Sequence, residues 1–140
     1  MEVTMTNNKL GIVARQEISY ELFENIIVLA LECGSRYWYS SIDLEFTSSN
    51  LLEKYATDPD AIRVAKLVWY DHINLRVMDA EDEDLSLGEV NLTTIKTAFE
   101  ITCSQYPETY LNLINHNFNH KDADVFFQIA TMGKVNFANS

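Results

Sequence analysis

Cysteine, proline and glycine are all scarce in this 140-residue sequence, with two, two and four copies respectively. Cys33 and Cys103 are too few, and wrongly spaced, for a disulfide framework or a zinc motif. Each falls in a segment with helical periodicity, where a free thiol is expected to sit as a small buried hydrophobe. That pattern points to a reducing, cytoplasmic setting. There is no Gly-rich phosphate loop, no nucleophile elbow and no zinc-protease histidine pair. No apolar run reaches the roughly 18 residues of a membrane span. Met1 to Leu10 lacks the apolar stretch of a signal peptide. Bases are scarce as well: 10 Lys and Arg against 21 Asp and Glu give a formal net charge of −11. Nucleic-acid affinity rests on cations that neutralise phosphates, so direct DNA or RNA binding is excluded as an expectation.

What is present is ordinary globular material. A hydrophobic content of 47% with 22% charge argues against disorder and for a packed core. A chain of this length buries about two-thirds of its unfolded surface, so residues 1–140 are expected to form one domain without metal or disulfide.

Along the chain, Leu10, Ile12 and Ala14 alternate with Gly11, Val13 and Arg15, predicting a strand over residues 9–17. Ser19 reads as an N-cap, with Ile18 and Phe23 at hydrophobic-staple spacing and Glu21 and Glu24 near the positive helix end. Leu22, Phe23, Ile26, Ile27, Ala30 and Leu31 then keep helical spacing, and Gly34 is expected to stop the helix by going left-handed. Ile42, Leu44 and Phe46 predict a strand, Leu51 to Ala56 a weak helix, and Asp58-Pro59 a helix start with Asp58 as cap, the helix running to Trp69 or Asp71. Ile73, Leu75 and Val77 read as a strand, returning through Leu85, Leu87 and Glu89. Thr93 or Thr94 opens a helix and Pro107 another. Asn115 to Asn119 is a loop, and Asp122 caps a last helix that Gly133 stops. Val135 and Phe137 predict a terminal strand. The expected fold class is α+β: a small antiparallel sheet with helices packed on one face.

Two blocks stand out together. Leu31-Glu32-Cys33-Gly34-Ser35-Arg36-Tyr37-Trp38 ends the first helix, and Asp122-Ala123-Asp124-Val125-Phe126-Phe127-Gln128-Ile129-Ala130 lies near the C-terminus. They resemble a family of small bacteriophage and prophage proteins with a Glu-Gly-Gly-Ser-x-Tyr-Trp-like block and a C-terminal Ala-Asp-Val-x-x-Gln-like block. Cys33 stands where that pattern has its first glycine. The resemblance implies a viral or mobile-element origin and a working life in the bacterial cytoplasm, and brings no activity with it.

Ser35, Arg36, Tyr37 and Trp38 bring a hydroxyl, a guanidinium and aromatic rings close together, as a nucleotide-sized pocket requires. The plainer reading is that Tyr37 or Trp38 fills the core and Arg36 caps helix carbonyls. Gln128 is an amide in an apolar stretch and needs a partner if buried, and the Arg36 region is the expected one. Asp124 reads as a favourable first-turn acid. Asp79, Glu81, Asp82, Glu83 and Asp84 form an acidic run without a base. It is either a solvated hairpin tip or a phosphate-mimicking patch for a basic nuclease or polymerase. His116 and His120 are four apart, but the asparagines between them argue for a loop rather than a metal site, and no cofactor is expected. His72 beside Asp71 is expected to end a helix. The leading expectation is therefore a phage-type accessory protein that binds rather than catalyses. It would counter a bacterial defence system by capturing a nucleotide-type signal or by blocking a basic host protein. A small nucleotide-processing enzyme is the alternative, and exposed aromatics would suit a homo-oligomer.

Overall fold

The computed structural model describes residues 2–6, 9–13, 16–45 and 49–138, the first two segments by their backbone. Strands β1 (Glu2–Thr6) and β2 (Lys9–Val13) form an antiparallel hairpin. The strand predicted over 9–17 is the second arm of a ribbon and ends at Val13, with Gln16 and Glu17 outside it. Ala14 and Arg15 lie outside the described residues, as does Phe46 of the next predicted strand. Ser19 caps α1 (Tyr20–Leu29) as expected, its hydroxyl accepting from the Leu22 N–H at 3.1 Å.

The helix does not stop on a left-handed glycine. It widens into one π turn, Ala30–Gly34, closed by the Ser35 N–H donating to the Ala30 carbonyl at 2.8 Å. Among described glycines only Gly133 has positive φ. Gly34 is required for a different reason: a Cβ there would lie 2.2 Å from the His120 carbonyl oxygen. The two cysteines also depart from expectation, since both are exposed.

Strand β3 (Tyr39–Glu45), β4 (Asn74–Asp79) and β5 (Ser86–Val90) make an antiparallel sheet with β4 in the middle. Leu75 pairs with Leu44 and Val90, and Val77 with Ile42 and Gly88. Leu75, Val77 and Val90 are buried under the helices. Arg76 points the other way and pairs with Glu45 at 2.8 Å. The molecule is an α+β fold with its helices on the buried face of the sheet. Between β3 and β4 lie α2 (Ser49–Glu53) and α3 (Asp60–Asp71). Pro59 rather than Asp58 occupies the cap position, and it offers no side-chain bond. Asp58 instead accepts from Lys66 Nζ at 2.8 Å. His72, left-handed at φ 56°, ends α3.

Helix α4 (Leu92–Gln105) begins before either predicted threonine, because Asn91 is the cap and Thr94 completes the capping box. Helix α5 (Pro107–Ile114) follows, then α6 (His120–Met132). Here too the cap moves upstream: Asn119 caps α6, and Asp122 sits in its first turn accepting from the Asn119 N–H. Helix α6 is the centre of the molecule, packing on α1, α4, α5, β5 and the π turn. Gly34 lets its N-terminal end seat on the π turn. Gly88, whose Cβ would lie 1.9 Å from the Thr131 carbonyl oxygen, lets its C-terminal end seat on β5.

Candidate functional site

The two sequence blocks do meet, and they meet in the interior. The π turn carries the chain into a tight turn, with the Trp38 N–H donating to the Ser35 carbonyl at 3.2 Å. Ser35 and Trp38 consequently point inward while Arg36 and Tyr37 remain at the surface. Opposite them on α6 lie Asp124 and, one turn on, Gln128, which are 1% and 0% exposed. Asp124 Oδ1 accepts from Ser35 Oγ at 2.8 Å and from Trp38 Nε1 at 2.7 Å. Its Oδ2 accepts from the Tyr37 hydroxyl at 2.7 Å and from Gln128 Nε2 at 3.1 Å. A buried carboxylate with donors on both oxygens is compensated for the water it has lost.

Gln128 extends the network to the C-terminal segment. Its Oε1 accepts from the N–H groups of Asn136 and Phe137, both at 2.9 Å, and its Nε2 donates to the Phe137 carbonyl at 3.0 Å. One side-chain amide thus does what a neighbouring strand would do. Residues Val135 to Phe137, predicted as a strand, form no strand and are held by Gln128 instead. Phe137 stacks on Trp38, with ring centroids 5.8 Å apart and planes 10° from parallel, and Phe127 meets the same indole at 5.5 Å. The Tyr37 phenol is shifted upward, first by burial and then by its bond to the Asp124 carboxylate. These contacts engage the buried polar groups of Ser35, Trp38 and Gln128, so the three side chains hold the fold together and face away from solvent. Gln128 does bond to the block around Arg36, through Tyr37 at 3.1 Å, but not to Arg36 itself.

Arg36 faces a different space. It borders an open cleft of about 760 Å³ together with Tyr39, Ser40, Arg63, Glu32 and Asp60. Its guanidinium is close enough to Tyr39 to oppose the upward shift that burial gives that phenol. Tyr39 is fixed in place by donating to the Leu31 carbonyl. Arg63 reaches Asp60 only loosely, at 3.6 Å, and its Nε is buried with no hydrogen-bond partner among the described residues. Arg36 forms no ion pair with a described residue. The first turn of α3, which no side chain caps, contributes Asp60 and Ala61 to the same cleft.

No family model, curated protein or solved structure matches this chain. The site therefore rests on geometry.

The acidic run is the tip of the β4–β5 hairpin. Asp79 Oδ1 accepts from the Glu81 N–H at 2.8 Å and Asp82 Oδ1 from the Asp84 N–H at 3.1 Å, so two of the acids build the turn themselves. Glu81, Asp82, Glu83 and Asp84 are exposed. His116 is left-handed at φ 54° after α5, whereas His120 opens α6, so the pair shares no helical face. Among the described residues, no group of three or more His, Cys, Asp or Glu side chains could hold a metal ion.

Sequence reasoning missed two participants. Asp124 was expected to be a favourable first-turn acid and is the centre of the buried network. Its signal was available, because Ala123, Phe127 and Ile129 surround it with apolar residues and Gln128 lies one turn away on the same face. Arg63 carries no such signal, and only the tertiary fold brings it to the cleft that Arg36 borders.

Proposed function

We propose that this chain is a phage-type accessory protein that acts by binding rather than turnover. Its site is the Arg36–Arg63 cleft, and its ligand is a small phosphate-bearing molecule of nucleotide type. The observation that carries this reading is the pairing of two incompletely satisfied guanidiniums in one cleft of a chain with 10 bases and 21 acids. Guanidinium groups recognise phosphate through paired N–H donors. The uncapped first turn of α3 adds backbone donors and the positive end of a helix dipole. The volume of about 760 Å³ suits a nucleotide-sized ligand, and the Tyr39 ring and Ser40 hydroxyl supply an apolar wall and a polar contact. Ser35, Trp38, Asp124 and Gln128 serve the site indirectly, by holding the turn that presents Arg36. Capture of a signalling nucleotide would counter a bacterial defence system, the role that goes with the phage resemblance.

The test is a thermal-shift screen against cyclic dinucleotides, cyclic ADP-ribose isomers and mononucleotides. A ligand at a hundred times its Kd stabilises by about 2.7 kcal/mol. The expected hit disappears in Arg36→Ala and Arg63→Ala, whose unliganded melting temperatures stay near that of the parent. Ser35→Ala and Gln128→Ala should instead lower the melting temperature while keeping the ligand shift. A flat screen, or a shift that survives loss of both arginines, sinks this reading. Hydrolysis of a screened nucleotide would promote the enzyme reading. The exposed acids of the hairpin tip favour a second reading, inhibition of a basic nuclease. Salt-sensitive inhibition abolished by Glu81→Gln with Glu83→Gln would support it.

A further inference from the structure

An open groove of about 560 Å³, lined by other residues than the arginine cleft, is bordered by α4, α5, Trp69 of α3 and the segment that enters α1. Its walls are mostly apolar: Ile18, Trp69, Leu92, Ile95, Phe99 and Tyr110. The aromatic surface continues past its edge, where Tyr20 packs edge-on against Trp69 and tilts against the exposed Tyr70. Contiguous apolar surface of this kind marks a binding face.

The N-terminal hairpin has the complementary need. Its register pairs Val3 with Ile12 and Met5 with Leu10, with Thr4 opposite Gly11 between them. Residues alternate across a ribbon, so both apolar pairs share one face and the Thr4–Gly11 pair lies on the other. A two-stranded ribbon is marginal in water unless a surface backs it. Among the described elements, no helix packs extensively against β1 or β2. The ribbon is also tethered at the groove. Strand β2 ends at Val13 and Gln16 already lines the groove wall. Three residues span at most about 10 Å, so the hairpin meets the groove at high effective concentration.

We propose that this groove is the docking site of the chain's own β1–β2 hairpin, which lays the face bearing Val3, Met5, Leu10 and Ile12 over it. The inference is independent of any ligand in the arginine cleft.

Cys103 lines the same groove, whereas Cys33 is exposed on the π turn. The experiment measures the reaction rate of Cys103 with an aromatic disulfide reagent in full-length Cys33→Ser protein, with and without Met5→Glu and Ile12→Glu. Docking predicts a rate about tenfold slower with the native hairpin, the protection that ~1.4 kcal/mol gives. Leu92→Glu, on the groove side, should release the thiol to the same extent, with the helical circular-dichroism signal unchanged. Equal rates with native and altered hairpins overturn the proposal. A protein that runs as a dimer in light scattering, and becomes a monomer with Met5→Glu and Ile12→Glu, also overturns it, because the groove then holds a second copy's hairpin.

Discussion

Asp124→Asn changes one atom at the centre of the buried network, and its cost follows from the chemistry of the four donors. Trp38 Nε1 is an obligate donor on Oδ1, and Gln128 Nε2 is an obligate donor on Oδ2. The asparagine carbonyl can replace only one of these oxygens. With the carbonyl toward Trp38 and Ser35, the new amide faces Tyr37 and Gln128. The Tyr37 hydroxyl can adapt, turning its proton to the Phe137 carbonyl 3.2 Å away and accepting from the amide. Gln128 Nε2 cannot, since an amide nitrogen only donates and cannot accept from the new amide. The opposite flip sets the amide against the indole N–H and is worse. The variant therefore loses one bond outright and weakens two charge-assisted bonds to neutral ones. Hydrogen bonds to charged groups contribute about 1.5–3 kcal/mol against about 1 for neutral pairs, so the loss is about 2–4 kcal/mol. Asp124→Ala strands the Trp38 and Ser35 donors in the interior and should cost about as much again. The assay is urea unfolding followed by tryptophan fluorescence and far-UV circular dichroism. With a urea slope near 2 kcal/mol/M, a loss of 3 kcal/mol lowers the midpoint by about 1.5 M. A shift for Asp124→Asn below about 0.5 M would refute the view that this carboxylate acts as an acceptor from all four groups.

Gly34→Ala should destabilise by about 3 kcal/mol, because its Cβ would lie 2.2 Å from the His120 carbonyl oxygen and backbone cannot step aside as a side chain can; unfolding midpoints check this. Asn119→Ala removes a cap that accepts from the Lys121 and Asp122 N–H groups, and calorimetry should show a loss of about 1 kcal/mol. Burial and the Asp124 bond raise the Tyr37 phenol above its ordinary value of 10.0, so the folded state keeps that proton longer than the unfolded chain. The resulting stability is complete below about pH 10 and is lost as pH rises beyond it, while the unfolded chain ionises first. Melting temperature should therefore fall more steeply above that pH in the parent than in Tyr37→Phe; parallel curves would contradict the assignment.

Much of the fold was legible because local rules and tertiary packing agree. The Ser19 cap, the apolar stripe of α1, the Leu75–Val77 alternation and the Pro107 start all appear where pattern places them. The errors share one physical origin, in that a local signal had a second use. Gly34 reads as a stop and is a close-approach residue. Asp122 reads as a cap, but asparagine three positions earlier takes that place and turns the aspartate into the capping-box partner. Val135 and Phe137 read as a strand because apolar residues alternate there with Asn136. Which group satisfies that backbone is invisible locally, and here it is one glutamine amide from the preceding helix.

The site was harder to read for a reason intrinsic to its chemistry. A hydroxyl, an indole, a phenol and an amide beside a carboxylate are what a nucleotide pocket offers, and equally what a buried polar network needs to leave no donor unmet. Residue type cannot distinguish the two uses; direction can. In Ser35-Arg36-Tyr37-Trp38 the turn sends the first and last residues inward to Asp124 and leaves Arg36 outward, beside a cleft whose second arginine lies 27 positions later in the chain. The block that stands out in the sequence is thus a support, and one of its members is the functional candidate. Substitutions at Ser35, Trp38 or Gln128 should change unfolding, and only changes at Arg36 and Arg63 should change binding with folding intact.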